Sequence, residues 1–346
     1  MKLLFITQIV DKNDLVQGIY HEWISMLAKE YEHLSVMCLY KGGHTLPDNV
    51  TLYSLGKETY GAKWYARLMY LFRFYKFLLT RSYGYDRVLV HMNEEYVILG
   101  KPLWSLFGKR VSMWRNHYAG SWRTALASRL CHKVFYTSDH SYTARFKNAV
   151  KMPVGVDTTR FKKQNRIPKK ENSILFLSRM SPSKRPHIFV EALQLLKEEG
   201  ITFTATVCGS PIKKDVQYYR ELMDKVRTLG LSSCVTFLDA VPNSETPALY
   251  QSHELFVNCS PSGMFDKTLF EAAACGDAVF AVSDDLAELT DGLSFVSQDN
   301  AQSLAQVLKK YMASSPEERD VYLKILDTVV VKHSFSNLMR RIVLEV

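Results

Sequence analysis

The chain has 346 residues, 47% of them hydrophobic and 23% charged, with a formal net charge of +9; this length allows two ordinary domains and this composition excludes a disordered chain. No run of about 18 apolar residues argues for a membrane-spanning helix, and the six scattered cysteines (Cys38, Cys131, Cys208, Cys234, Cys259, Cys275) form no C-x-x-C pair, so neither a disulfide framework nor a zinc site is expected. Residues 1–172 hold 27 Lys+Arg against 13 Asp+Glu, a net of +14, while the remainder holds 17 against 22, so the first half is expected to face something anionic, a membrane or a nucleic acid.

Residues 2–6 (KLLFI) open the chain. The apolar run is short, lacks a small-residue cleavage site and leads into the polar DKNDLVQG, so it reads as a buried strand and not as a signal peptide. A helix over 20–29 follows, with Trp23, Ile24, Leu27 and Ala28 on one face. Strands are predicted at 34–39, 87–91, 110–114 and 133–137. Between them, residues 63–81 (KWYARLMYLFRFYKFLLTR) have helical period and are dense in aromatics and bases. Such a helix can lie in a membrane interface, with Lys63, Arg67, Arg73 and Lys76 toward the lipid, or form a core helix with a solvated basic face. A nucleic-acid partner is not expected, because no recognised binding module accompanies the bases.

Residues 158–172 (TTRFKKQNRIPKKEN) are polar, basic and aperiodic, and read as an interdomain linker. A second strand–helix start follows at 173–177 (SILFL) and 187–198. Further strands are predicted at 202–208, 235–238, 254–258 and 278–282, and a last helix at 334–346. Strands alternating with helices give parallel sheets covered on both faces. The expected division is 1–157, a linker at 158–172, 173–330, and a closing helix at 331–346 packing back toward the first domain.

Two segments carry chemistry. In 174–193 (ILFLSRMSPSKRPHIFVEAL) a strand ends, Arg179 and Lys184 follow, and a helix opens near Pro186. Loops at the carboxyl ends of parallel strands are where α/β proteins bind ligands, and an Arg fork with a Lys point charge suits phosphate oxygens. In 258–276 (NCSPSGMFDKTLFEAAACG) a strand gives way to a small polar loop and a helix begins near Lys267. Its first N–H groups form a ready anion site. Lys267 and Thr268 can add donors, and Glu271 can accept from ribose hydroxyls. Asp266 reads equally as an ordinary N-cap.

Together these segments resemble the retaining glycosyltransferases with two facing Rossmann-like domains across a cleft, the GT-B fold, glycosyltransferase family 4. The resemblance covers nearly the whole chain. It implies that Arg179 and Lys184 hold the diphosphate of a nucleotide sugar. It also implies donor contacts from Gly18, Gly209 and the run Gly263, Met264, Phe265, Asp266, Lys267 and Thr268. Glu271 corresponds to the second Glu of the family's E-x7-E motif. The first falls at Gly263, in G-M-F-D where the family reads E-G-F-G, so Asp266 either replaces the missing carboxylate at the sugar or caps the helix. His117 in WRNHYAG is similar to the family histidine near the transferred sugar. His91 is a similar strand-end histidine, and Arg115 reaches substrate or the surface.

The reaction so implied transfers a hexose from a UDP- or GDP-sugar to a hydroxyl of a glycan or lipid-linked acceptor, with retention. No metal or other cofactor is expected: Asp284 and Asp285 read as a surface turn, and the two cations replace a divalent ion. The expected location is cytoplasmic, at the inner face of a membrane. No G-x-G-x-x-G follows residues 2–6, which disfavours a dehydrogenase. Gly263 leaves open a protein that binds nucleotide sugar without turning it over.

Overall fold

Leu3, Leu4, Phe5 and Ile6 are all fully buried. A strand loses both faces to packing only inside a parallel sheet covered on each side, which is why its sequence runs apolar without alternation. In the computed structural model, which describes residues 1–14, 18–61, 63–164, 169–263, 266–290 and 299–346, this strand is the third from one edge of such a sheet. The strands are β1 (Lys2–Val10), β2 (His33–Lys41), β3 (Val50–Ser54), β4 (Arg87–His91), β5 (Arg110–Trp114), β6 (Lys133–Tyr136) and β7 (Ala149–Lys151), in the order β3-β2-β1-β4-β5-β6-β7. The helices alternating with them are α1 (Ile19–Glu30), α2 (Lys57–Tyr60), α3 (Ala66–Arg81), α4 (Glu94–Leu106) and α5 (Trp122–Leu130). α1 buries Trp23, Ile24, Leu27 and Ala28, the face its period predicts.

A second sheet has β8 (Lys170–Leu177), β9 (Thr204–Cys208), β10 (Val235–Leu238), β11 (His253–Asn258) and β12 (Ala278–Ala281), in the order β10-β9-β8-β11-β12. Around it lie α6 (Pro186–Glu198), α7 (Val216–Thr228), α8 (Thr246–Ser252), α9 (Lys267–Ala274), α10 (Asp284–Leu289), α11 (Ala301–Ala313), α12 (Pro316–Lys332) and α13 (Phe335–Glu345). The recorded strand pairings in both sheets are parallel. Each sheet has a switch point, where the order of strands reverses direction: between β1 and β4 in the first, between β8 and β11 in the second. Loops leaving the carboxyl ends of two such strands diverge and leave a crevice.

The chain divides into two compact units, Met1–Met152 with Met339–Val346, and Pro153–Leu338. The first boundary therefore falls before residue 157, and the described residues of the expected linker, 158–164 and 169–172, group with the second unit. Val154, Val156 and Phe161 are buried in the core of the second unit. The polar residues that suggested a linker are pinned there: Lys163 pairs with Asp327 at 2.6 Å, and Lys169 pairs with the buried Asp277. Residues 165–168 lie outside the described residues. The division of the last helix also differs from 331–346, since residues through Leu338 group with the second unit and Met339–Val346 with the first.

The basic helix starts at Ala66, not residue 63. It buries Phe74, Phe77 and Leu78 and exposes Leu68 and Phe72 with Arg67 and Lys76. Arg73 is not among its outward bases. It is half-buried, donates to the Ser54 carbonyl at 3.3 Å and lies 5.2 Å from the Tyr60 ring. Among the described residues no helix is long and apolar enough to cross a membrane.

Candidate functional site

The switch point of the second unit brings the two chemistry-bearing segments together. Gly209 has φ +144, and a Cβ there would sit 1.9 Å from the Ser178 carbonyl oxygen. Only glycine lets the loop after β9 pass so close to the loop after β8. Ser178 and Met180 N–H groups donate to the Cys208 and Ser210 carbonyls, at 3.1 and 3.2 Å. This fixes the start of the loop that carries Arg179 and Lys184. Arg179 is exposed, with no hydrogen bond or ion pair among the described residues.

Lys184 turns toward the head of α9. Its Nζ lies 2.5 and 2.6 Å from the two carboxylate oxygens of Asp266 and 3.2 Å from Ser260 Oγ. Asn258 Nδ2 donates to the same carboxylate at 3.0 Å, and so does the Ser260 hydroxyl. Asp266 stands at the N-cap position of α9, but its side chain makes no capping bond. Charge-assisted bonds to a lysine outcompete a neutral backbone donor, so the carboxylate is drawn into the cluster. The structure thus gives Asp266 a third role, neither cap nor free carboxylate.

At Gly263 the backbone is left-handed, φ +84, and the buried N–H donates to Asp285 Oδ2 at 2.8 Å. Asp285 is no surface-turn residue. It is 2% exposed in the first turn of α10, held there because Ser262 and Asp284 exchange bonds at 3.0 and 3.2 Å. Met264 and Phe265 lie outside the described residues. Lys267 Nζ sits 5.9 Å from the Phe335 ring. Thr268 Oγ1 is buried with no hydrogen-bond partner among the described residues.

Glu271 is 5% exposed, and Oε2 accepts from the Tyr250 hydroxyl at 3.2 Å. Burial and then the negative charge of Glu271 push the Tyr250 pKa well up, so the phenol stays a neutral donor that orients the carboxylate. Arg185 adds a feature the sequence reading missed. It adopts φ +51, its Nε donates to the Cys259 carbonyl at 2.7 Å, and its Nη1 lies 2.7 Å from Asp299. It ties the loop after β8 to the end of β11. The sequence offered only a cation between Lys184 and Pro186; its left-handed backbone, which costs about 1–2 kcal/mol, is visible only in the structure.

The remaining predicted residues belong to the first unit. Gly18 stands at the N-cap position of α1, where a Cβ would lie 2.6 Å from the Asp14 carbonyl oxygen. His117 follows β5; its Nδ1 accepts from Ala119 N–H at 2.9 Å, leaving Nε2 unpartnered among the described residues. His91 is a core histidine. It is 4% exposed among Phe5, Tyr20 and Trp23, and burial pushes its pKa down to about 3. Arg115 does not reach outward: it pairs with Glu94 at 3.0 Å and donates to the Met92 carbonyl. No group of three or more His, Cys, Asp or Glu suited to a metal occurs among the described residues.

Residues 157–324 match the family described as Glycosyl transferases group 1. The D-inositol 3-phosphate glycosyltransferase of Salinispora arenicola is 27% identical over 121 residues, covering 34% of this chain and 27% of that protein. The one from Nocardia farcinica is 28% identical over 163 residues, covering 44% and 35%. The chain thus spans about a third of the length of the curated relatives it matches. Among solved structures, Anabaena HepE in complex with UDP and glucose superposes with a TM-score of 0.76 at 19% identity, covering 99% of this chain and 98% of that one. WaaG, a glycosyltransferase involved in lipopolysaccharide biosynthesis, does so with a TM-score of 0.68 at 15% identity, covering 99% and 98%. These likenesses show the fold, two parallel-sheet α/β domains of the GT-B glycosyltransferase type.

Proposed function

A Glycosyl transferases group 1 domain occupies residues 157–324 of the chain, and from that premise we propose that the protein transfers a hexose from a UDP- or GDP-sugar to a hydroxyl of a lipid-linked or glycan acceptor. The observation that carries the reading is the meeting of Lys184 and the head of α9 at one switch point, in a cluster with Asn258, Ser260 and Asp266, with Arg179 exposed on the loop that carries Lys184. As the glycosidic bond breaks, the electron pair stays with the leaving diphosphate. Cations and helix N–H groups fixed in advance favour that charge over the ground state. Arg179 and Lys184 take the diphosphate, Thr268 donates to a phosphate oxygen, and Glu271, oriented by Tyr250, accepts from the ribose. His117 lies at the transferred sugar. Transfer retains configuration and uses no metal or further cofactor. HepE, solved with UDP and glucose, makes UDP-glucose the first donor to try.

The protein acts at the cytoplasmic face of a membrane, with Lys63, Arg67 and Lys76 toward anionic lipid. Gly263 favours a second reading, in which nucleotide sugar binds without turnover. A donor panel separates the two, scored for release of UDP or GDP and for binding by calorimetry. Binding without release supports the second reading. If no nucleotide sugar is bound or turned over, and Arg179→Ala changes nothing, both readings fail.

A further inference from the structure

The switch point of the first unit is lined quite differently. Gln8 of β1 and Asn93, just after β4, are among the residues that line a cavity of about 340 Å³ there. Leu39, Leu55, Leu71, Phe74 and Leu99, with the rings of Tyr70 and Tyr96, supply its mostly apolar lining. The cavity is roofed by α3 and the start of α4, and the apolar surface continues outward along α3 through Leu68 and Phe72, which are 64% and 60% exposed. Water gains nothing in such a space, whereas a hydrocarbon chain gains about 25 cal/mol for each Å² it hides.

The rim adds charge. Arg67 lines the cavity and has neither ion pair nor hydrogen bond among the described residues. α3 reads ARLMYLFRFYKFLLTR, with four bases and no acid. The one acid at the rim, Glu95, faces Arg123 at 3.9 Å. An apolar pocket with an unpaired guanidinium at its mouth complements an anionic amphiphile. The neighbouring strand end carries His117: β4 and β5 pair in register, and Met92 N–H donates to the Trp114 carbonyl at 2.7 Å. A ligand seated in the pocket therefore lies one strand away from the histidine loop.

We propose that this pocket receives the hydrocarbon chain of a phosphate-bearing lipid, the acceptor of the transfer, with Arg67 paired to its phosphate. This rests on the proposed transferase reading and narrows its acceptor to the lipid-linked class.

The test measures binding of dodecyl phosphate, below its micelle concentration, to the full chain and to Leu71→Asp, Leu99→Asp and Arg67→Ala. Leu71 and Leu99 are 37% and 36% exposed, so a carboxylate is tolerated at the rim while it repels the chain and the phosphate. Dodecyl phosphate is expected to bind the unaltered protein, about tenfold weaker in either Asp variant and about fivefold weaker in Arg67→Ala. Inorganic phosphate should not displace it. UDP affinity, read on the same samples, should stay as it is. Equal affinity across the variants, or equal binding of inorganic phosphate, overturns the proposal. So does a Leu71→Asp variant that still binds dodecyl phosphate but no longer sediments with vesicles of anionic phospholipid, since α3 is then a membrane contact only. Loss of UDP binding throughout, with dodecyl phosphate binding intact, counts against the transferase reading instead.

Discussion

The two units carry sheets of one kind, yet their switch points are furnished in opposite ways. In the second unit, β8 and β11 end among charges and hydroxyls, each tied to several others: Lys184, Asp266, Ser260, Asn258. In the first, β1 and β4 end at Gln8 and Asn93 beside open space walled mainly by leucines and aromatic rings, with Arg67 and Glu95 at the edge. A site for a charged ligand has to be held rigid in advance, because water competes for every donor. A site for hydrocarbon needs only shape and a mostly apolar wall. One therefore spends its residues on mutual hydrogen bonds, and the other on leaving a gap.

That contrast can be broken most sharply at Lys184. Lys184→Ala should lower turnover by about 100-fold or more, the usual cost of losing one preorganised charge, and should weaken UDP binding. The pocket variant Leu71→Asp should leave UDP binding intact. If Lys184→Ala has no effect on either measure, the second unit's site is elsewhere. Next in size, Gly209→Ala forces a Cβ against the Ser178 carbonyl. It should cost about 2–3 kcal/mol of stability, seen as a drop of several degrees in the melting temperature of the second unit. An unchanged melting temperature would mean the two loops are not held as described.

The first unit has its own sensitivity, to pH. All five tryptophans lie in residues 1–152, so their fluorescence follows that unit alone. Unfolded His91 takes up a proton near its ordinary 6.5, while the folded one does so only near 3. Between those values the unfolded state binds the extra proton, so stability falls as pH falls, by about 1.4 kcal/mol per unit. Fluorescence-monitored denaturation from pH 6.5 to 5 should show a loss of about 2 kcal/mol that His91→Leu largely removes. The smallest effect is expected at Asp266. Asp266→Asn removes a negative charge from beside the proposed diphosphate and should tighten UDP binding by about three- to tenfold. Weaker binding would show instead that Asp266 chiefly positions Lys184.

The same contrast governs how far the sequence could be read. Strands buried on both faces announce themselves as apolar runs, and β4 and β5 match their predicted limits. β3, half-buried at every position on the sheet edge, and the three-residue β7 have no such run and were not predicted. The structure brings together Lys184 and the start of α9, which were singled out because charge beside a strand end is unusual. The partner of Lys184 was not, since Asp266 reads equally as a cap. Arg73 and Arg115 looked outward in sequence, because nothing local says that Tyr60 or Glu94 waits beside them. The pocket was invisible, because leucines that line a gap look like leucines that fill one.

The last eight residues carry a consequence of their own. Met339–Val346 complete the first unit, and Glu345 pairs with Lys133 across 212 residues of sequence. On a ribosome the first 152 residues emerge long before these partners exist, and the whole second unit must be made in between. The first unit is thus begun before the second and completed after it. Until Met339–Val346 emerge it must wait with its Lys133 side uncovered, a stage at which chaperones or a protease would find it.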